Sequence, residues 1–169
     1  MKQPIAVAFT GPSGSGKTTL IQKIAQHLIP TMKLAIVKHD PKDKALFDTE
    51  GKDSDIFTKT GAEVIVTSPT RTTYFSQRHQ TLEEIIRTFQ PFELLLVEGL
   101  KELPLPRIAI FRHQIDESYL PYIEALAIDD TIQPQAYHIP SHITLLNLND
   151  VEGIIEWIFT HAKKLPQTH

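Results

Sequence analysis

Residues 11–18 read Gly-Pro-Ser-Gly-Ser-Gly-Lys-Thr, a complete G-x-x-x-x-G-K-T spacing. Glycines at these intervals let successive backbone N–H groups turn inward around phosphate oxygens. A helix that starts just after them adds its positive dipole end. Gly11, Ser13, Gly14, Ser15, Gly16, Lys17, Thr18 and Thr19 therefore form the candidate phosphate-binding set. Lys17 would reach the β- and γ-phosphates, and the Thr18 hydroxyl would hold Mg²⁺. The bland alternative is a Gly/Ser-rich turn capping an ordinary helix, which leaves Lys17-Thr18 without a purpose. The pattern implies a nucleoside triphosphate site and leaves the base open.

A second group is Leu94-Leu-Leu-Val-Glu98-Gly99, a continuous apolar run ending in an acid. In open parallel sheets ligands sit beyond the carboxyl ends of the strands, so Glu98 would face the metal on Thr18. The usual acid here is Asp. A Glu reaches about one methylene further, which suits contact through water. Gly99 would let the chain pass close to the phosphates. Lys38-His39-Asp40 follows another apolar run, so Lys38 is a candidate phosphate or substrate contact. His39, Asp40 and Asp48 are candidates to hold a metal or position water, or are simply solvated. Lys52 and Asp53, in Gly51-Lys-Asp-Ser54, either present charge to an anion or cap a helix. Arg71 either touches phosphate or base, or lies in solvent.

These residues need a frame. Pro4-Ile-Ala-Val-Ala-Phe-Thr10 reads as a buried strand before the loop, and Leu20, Ile21, Ile24, Ala25 and Leu28 mark one face of the helix after it. Strands are expected at 34–37, 63–67, 94–97, 107–112, 125–128 and 143–146. Helices are expected at 54–60, from Thr81 to about Phe89 with Leu82, Ile85, Ile86 and Phe89 inward, and from Asn149 or Asp150 onward. The last should bury Val151, Ile154, Ile155, Ile158 and Phe159. Thr81-Leu-Glu-Glu84 is a capping box, Ser68-Pro69 a turn and Gly61 a helix stop. The charged stretch 40–53 is long for a connection and reads as functional or mobile. Alternating strands and helices predict an α/β phosphate-loop NTPase: three layers, a mostly parallel sheet, helices on both faces. No repeat or linker divides the 169 residues, so 1–169 is expected to be a single nucleotide-binding domain.

Composition is ordinary, with 41% hydrophobic and 22% charged residues and a formal net charge of −3. That balance argues against a general nucleic-acid surface, and no apolar run is long enough for a bilayer. With no cysteine in the chain, disulfides and thiol chemistry are excluded. The first strand begins almost at once, which leaves no room for a signal peptide and makes the cytoplasm the expected compartment. No Asn-Lys-x-Asp signature, water-orienting Gln or finger Arg can be assigned, so intrinsic hydrolysis should be slow.

In order and spacing, several segments resemble the molybdopterin-guanine dinucleotide biosynthesis protein B family, MobB. They are Gly14-Ser-Gly-Lys-Thr-Thr-Leu20, Val37-Lys-His39, Asp48-Thr-Glu-Gly-Lys-Asp-Ser54, Gly61-Ala62, Leu94-Leu-Leu-Val-Glu-Gly-Leu-Lys101, Arg107-Ile-Ala-Ile-Phe-Arg112 and Leu146-Asn-Leu-Asn-Asp-Val-Glu-Gly153. The resemblance implies a GTP-binding, Mg²⁺-dependent adaptor with weak GTPase activity. Such a protein assists a MobA-type guanylyltransferase that attaches GMP to molybdopterin. It also implies a homodimer, a phosphate loop at Gly14–Thr19, Glu98 as the strand-end acid, and Arg71 near the nucleotide. Asp40-Pro-Lys42 departs from the family, where further histidines often follow His39, and Leu100 stands where Phe is frequent. The runner-up is a small-molecule kinase, for which Arg71, Arg78 and Arg87 are the available lid arginines.

Overall fold

A computed structural model describes residues 3–89 and 91–166; Met1 and Lys2, part of the amino-terminal expectation, lie outside them. In chain order the elements are β1 Ile5–Thr10, α1 Lys17–Leu28, β2 Leu34–Lys38, α2 Asp53–Thr58, β3 Val64–Thr67, β4 Thr72–Phe75 and α3 Leu82–Thr88. They continue with β5 Leu94–Glu98, β6 Arg107–Phe111, β7 Ala125–Ile128, β8 Thr144–Asn147, α4 Val151–His161 and β9 Lys163–Lys164. They divide between two compact units, Met1–His39 with Gln90–His169, and Asp40–Phe89.

The larger unit is built on a sheet ordered β2-β5-β1-β6-β7-β8. Every neighbouring pair in that path is parallel, and β9 adds an antiparallel partner to β1. Strands buried on both sides read as unbroken apolar runs, which is why β5 and β6 carry so few polar residues. Side chains alternate between the faces. Val7, Phe9, Leu94, Leu96, Ile108 and Ile110 pack with α1 and α4. Ala109, Phe111, Leu126 and Ile128 pack beneath a 3-10 turn at Glu117–Tyr122. Chain order reverses around β1, so its carboxyl end opens at the switch point where α/β sheets bind ligands.

The smaller unit departs from the alternation expected of the sequence. β3 pairs antiparallel with β4 in a separate hairpin turned at Ser68-Pro69, where the Ser68 N–H donates to the Arg71 carbonyl at 2.8 Å. The β4 segment Thr-Thr-Tyr-Phe has strand-forming residues but no apolar alternation long enough to announce it. α3 opens with the expected capping box: Thr81 Oγ1 accepts from Glu84 N, and Glu84 Oε2 accepts from Thr81 N. Its Leu82, Ile85 and Ile86 are only half-buried, and Phe89 leaves the helix as an extended cap.

α4 corrects one inward position. Phe159 is 46% exposed, and Trp157 (5%) takes its place in the core. At about 100° of rotation per residue, Trp157 stays nearer the Ile154–Ile158 line than Phe159 does. Asp150 caps this helix by accepting from Gly153 N at 3.0 Å. Asp150→Ala should lower stability by about 1 kcal/mol in denaturant titration. An unchanged midpoint would show that the α4 start needs no cap.

Candidate nucleotide-binding site

The loop between β1 and α1 is shaped by steric necessity. Gly11 has φ 136°, and a Cβ there would collide with the Ile110 carbonyl oxygen of β6. Only glycine lets the chain turn against the neighbouring strand. The turn closes with Ser15 N donating to Pro12 O at 3.3 Å, and Gly16 at φ 98° starts α1. Lys17 folds back over the loop, its Nζ donating to Gly11 O at 2.9 Å and Pro12 O at 2.7 Å. Two of its three donors fix the ammonium over the mouth, and one remains. Inside the turn Ser15 is buried, and its hydroxyl has no hydrogen-bond partner among the described residues. Buried hydroxyls are normally paired, so the cradle is shaped for a polar occupant.

Charge leads to the same place. Burial holds Lys17 below the ordinary lysine pKa; Glu98 acts in the opposite direction, and Lys38 and Lys101 lower it further. Three ammoniums thus face one carboxylate around the loop, an arrangement that a bound anion relieves. Glu98, half-buried at the end of β5, is in register with Lys38 at the end of β2. Its carbonyl accepts from His39 N at 3.0 Å, and Gly99 N donates to Phe9 O at 3.1 Å, tying β5 to β1 beside the loop. His39 packs its Cβ against Gly99. Lys38, His39, Glu98 and Gly99 are thereby gathered with residues 11–19 at one edge of the sheet.

Arg71, Asp48, Lys52 and Asp53 belong to the other unit. Lys52 and Asp53 begin α2, and the Asp48 Oδ1 accepts from Thr49 N at 2.7 Å. Arg71 closes the hairpin turn through its backbone. Asp40 is likewise local, its carboxylate accepting from the N–H groups of Lys42, Lys44 and Ala45. Among the described residues no cluster of three or more His, Asp or Glu could hold a metal alone. Thr18 and Glu98 suit Mg²⁺, which commonly takes one or two protein oxygens and completes its shell with phosphate and water.

Two arginines of the motif Arg107-Ile-Ala-Ile-Phe-Arg112 acquire roles that spacing did not reveal. Arg112 lays its guanidinium beside Gly16, where a Cβ would stand 3.4 Å from its Nε. It also pairs with Asp129 at the end of β7, Nε to Oδ2 at 3.7 Å. The Thr131 hydroxyl holds the Asp129 carboxyl below its usual range, aided by the Thr131 N–H, Arg112 and His113. Arg107 is 2% exposed at the start of β6. Its guanidinium donates to the carbonyls of Gly99 (3.0 Å), Leu100 (3.1 Å), Lys101 (3.3 Å) and Leu103 (3.1 Å). Leu100 has φ 49°, an uncommon conformation for a side chain of its size, and this clamp holds it there. Both were hidden because their partners lie on other segments; the one available signal was an arginine at each end of an apolar strand.

Arg107→Met should cost about 2–4 kcal/mol by taking the guanidinium from the Gly99 and Lys101 carbonyls, while those of Leu100 and Leu103 keep backbone donors from Leu103 and Leu105. Arg107→Lys should recover little, since one compact ammonium cannot reproduce the planar two-nitrogen fork that spans the Gly99 and Lys101 carbonyls. A wild-type denaturation midpoint in both variants would dismiss the clamp.

Comparison with known proteins agrees with this geometry. The profile of the family MobB, "Molybdopterin guanine dinucleotide synthesis protein B", matches residues 6–129. The molybdopterin-guanine dinucleotide biosynthesis adapter protein of Haemophilus influenzae is 31% identical over 160 residues, covering 90% of this chain and 86% of that one. The probable adapter protein of Bacillus subtilis is 29% identical over 145 residues, covering 80% of each. The crystal structure of Bacillus subtilis MobB superposes with a TM-score of 0.72 over 94% of this chain and 98% of its own, at 21% identity, a likeness of fold. The profile spans most of the chain and the Haemophilus relative most of both sequences; the chain belongs to the MobB family.

Proposed function

We propose that the chain binds Mg²⁺·GTP in the loop 11–19 and acts as an adaptor with weak GTPase activity. In this reading it assists a MobA-type guanylyltransferase in attaching GMP to molybdopterin, in the cytoplasm, with residues 1–169 working as one nucleotide-binding domain. The observation that carries the reading is the buried, unpartnered Ser15 hydroxyl inside a loop ringed by Lys17, Lys38 and Lys101. The loop amides and the free donor of Lys17 grip the β- and γ-phosphates. Thr18 and Glu98 hold Mg²⁺, which when bound neutralises phosphate oxygens.

The carboxyl end of β7 lies two strands from β1 on the side of β6, and there Asp129 is kept ionised. Its Oδ2 is too far from Arg112 for a hydrogen bond. It is therefore an acceptor available to the N–H groups of guanine. Homodimer formation draws support from the β3–β4 hairpin, which exposes Ile65, Val66 and Tyr74 and pairs with no other strand among the described residues. The kinase alternative gains nothing comparable: Arg78, a candidate lid residue, bridges Glu63 and Glu84.

Calorimetry should show saturable Mg²⁺·GTP binding that weakens by about tenfold or more in Lys17→Ala. Because the protonated lysine is the binding form and its pKa is lowered, wild-type affinity should decline with rising pH before ordinary lysines titrate. Lys17→Ala should lack that decline. Wild-type affinity in Lys17→Ala would place the nucleotide elsewhere. Asp129→Asn should shift preference from GTP toward xanthosine triphosphate, by about tenfold or more; an unaltered ratio would remove Asp129 from base reading.

A further inference from the structure

Behind the phosphate loop, on the sheet face away from α1, lies a cavity of about 440 Å³. Its lining includes Thr10, Lys101, Glu102, Ser118, Tyr119 and Tyr122. Three features mark it as built. Thr10 is 4% exposed, and it sets a buried polar residue in the lining. The Lys101 ammonium stands 4.6 Å above the centroid of the Tyr119 ring. That ring is itself fixed edge-on against the buried Phe111, centroids 5.3 Å apart. The carbonyl of Lys101 is held by Arg107, so the ammonium is positioned from its backbone as well as from its tip.

The lining selects its occupant. Tyr119 and Tyr122 offer aromatic walls, and the volume suits a fused bicyclic ring with one substituent. In the lining Lys101 and the buried Arg107 face Glu102, while Glu124 acts on Arg107 and Asp116 on Lys101 from outside it. With the Arg107 guanidinium given to backbone carbonyls, Lys101 is the cation placed to meet an anion. Glu102, Ser118 and Thr10 supply acceptors and hydroxyls for ring nitrogens and amino groups. Thr10 directly precedes Gly11, so the floor of the cavity runs into the phosphate loop. Lys101 is near enough to Lys17 to act on its charge.

We propose that this cavity is a second ligand site, adjoining the nucleotide loop, for a flat nitrogen heterocycle carrying a phosphate or carboxylate group. Lys101 is its anion contact, Tyr119 and Tyr122 are its walls, and Thr10 is its buried polar floor. The site rests on its own lining; only equating its natural occupant with a pterin phosphate rests on the function proposed above.

Fluorescence titration of the full chain with pterin-6-carboxylate tests this, with 6-methylpterin as the probe lacking the anion. Wild type should bind the carboxylate saturably, and Lys101→Ala should weaken it by about tenfold. Tyr119→Leu and the near-isosteric Thr10→Val should each weaken it several-fold, with unchanged circular dichroism. 6-Methylpterin should bind more weakly and ignore Lys101→Ala. Lys17→Ala should still bind the probe saturably and still respond to a further Lys101→Ala change, so a failure of the nucleotide reading stays separate from a failure here. The proposal is overturned by an absence of saturation, by equal affinity in wild type, Lys101→Ala and Thr10→Val, or by competitive displacement of the probe by GTP.

Discussion

Everything at this edge of the sheet depends on an ammonium held over a turn of backbone by that turn's own carbonyls. Lys17 can stand there only because Gly11 turns the chain against Ile110, bringing the carbonyls of Gly11 and Pro12 to face it. The ammonium is half-buried, and Lys38 and Lys101 add charge of the same sign. Desolvating a cation among cations is costly in any protein. The fold tolerates it because Glu98 offsets part of the repulsion and two carbonyls solvate the group in place of water. What remains uncompensated is a positive potential above a ring of N–H groups and one buried hydroxyl. Such a surface suits a polyphosphate, since a single neutral ligand would answer only the hydrogen-bonding half of it.

The second arm of the site is organised by a different cation. Arg107 is buried so that its planar fork can gather four carbonyls of the segment following Glu98, a task suited to guanidinium and poorly suited to ammonium. Burial lowers its pKa, against the pull of Glu124 and Glu102. The clamp sets where β5 ends and where Gly99 and Lys101 stand. One residue thereby ties the strand-end acid, the left-handed Leu100 and the cavity beyond Thr10 to the register of β6 against β1. Sheet topology supplies the cleft, and these two cations, one half-buried and one buried, decide what chemistry can occupy it.

Features that the sequence made legible were those whose causes are local. The phosphate loop, the capping box at Thr81, the apolar run to Glu98 and the stripe on α1 each depend on neighbours within a few residues. Long-range features escaped. β9 exists because Lys163 and Lys164 meet the start of β1, and β4 because β3 folds back on it; neither segment has a strong pattern of its own. Arg107 and Arg112 looked like strand ends until their partners at 99–103, Gly16 and Asp129 came into view. The exchange of Trp157 for Phe159 turned on a small rotation of one helix. Arg71 and Asp48, picked by type and position in loops, lie in the 40–89 unit, where a turn uses the Arg71 carbonyl and Asp48 Oδ1 accepts from Thr49 N. A loop residue's role is set by where its loop goes, and short-range patterns carry little of that information.

Amide hydrogen exchange, compared with and without Mg²⁺·GTP, tests the central claim most directly. If backbone N–H groups and Lys17 grip the phosphates, the amides of residues 13–19 should become strongly protected, with a smaller gain at Glu98 and Gly99. Unchanged exchange across 13–19 at saturating nucleotide, or protection confined to another segment, would contradict the account.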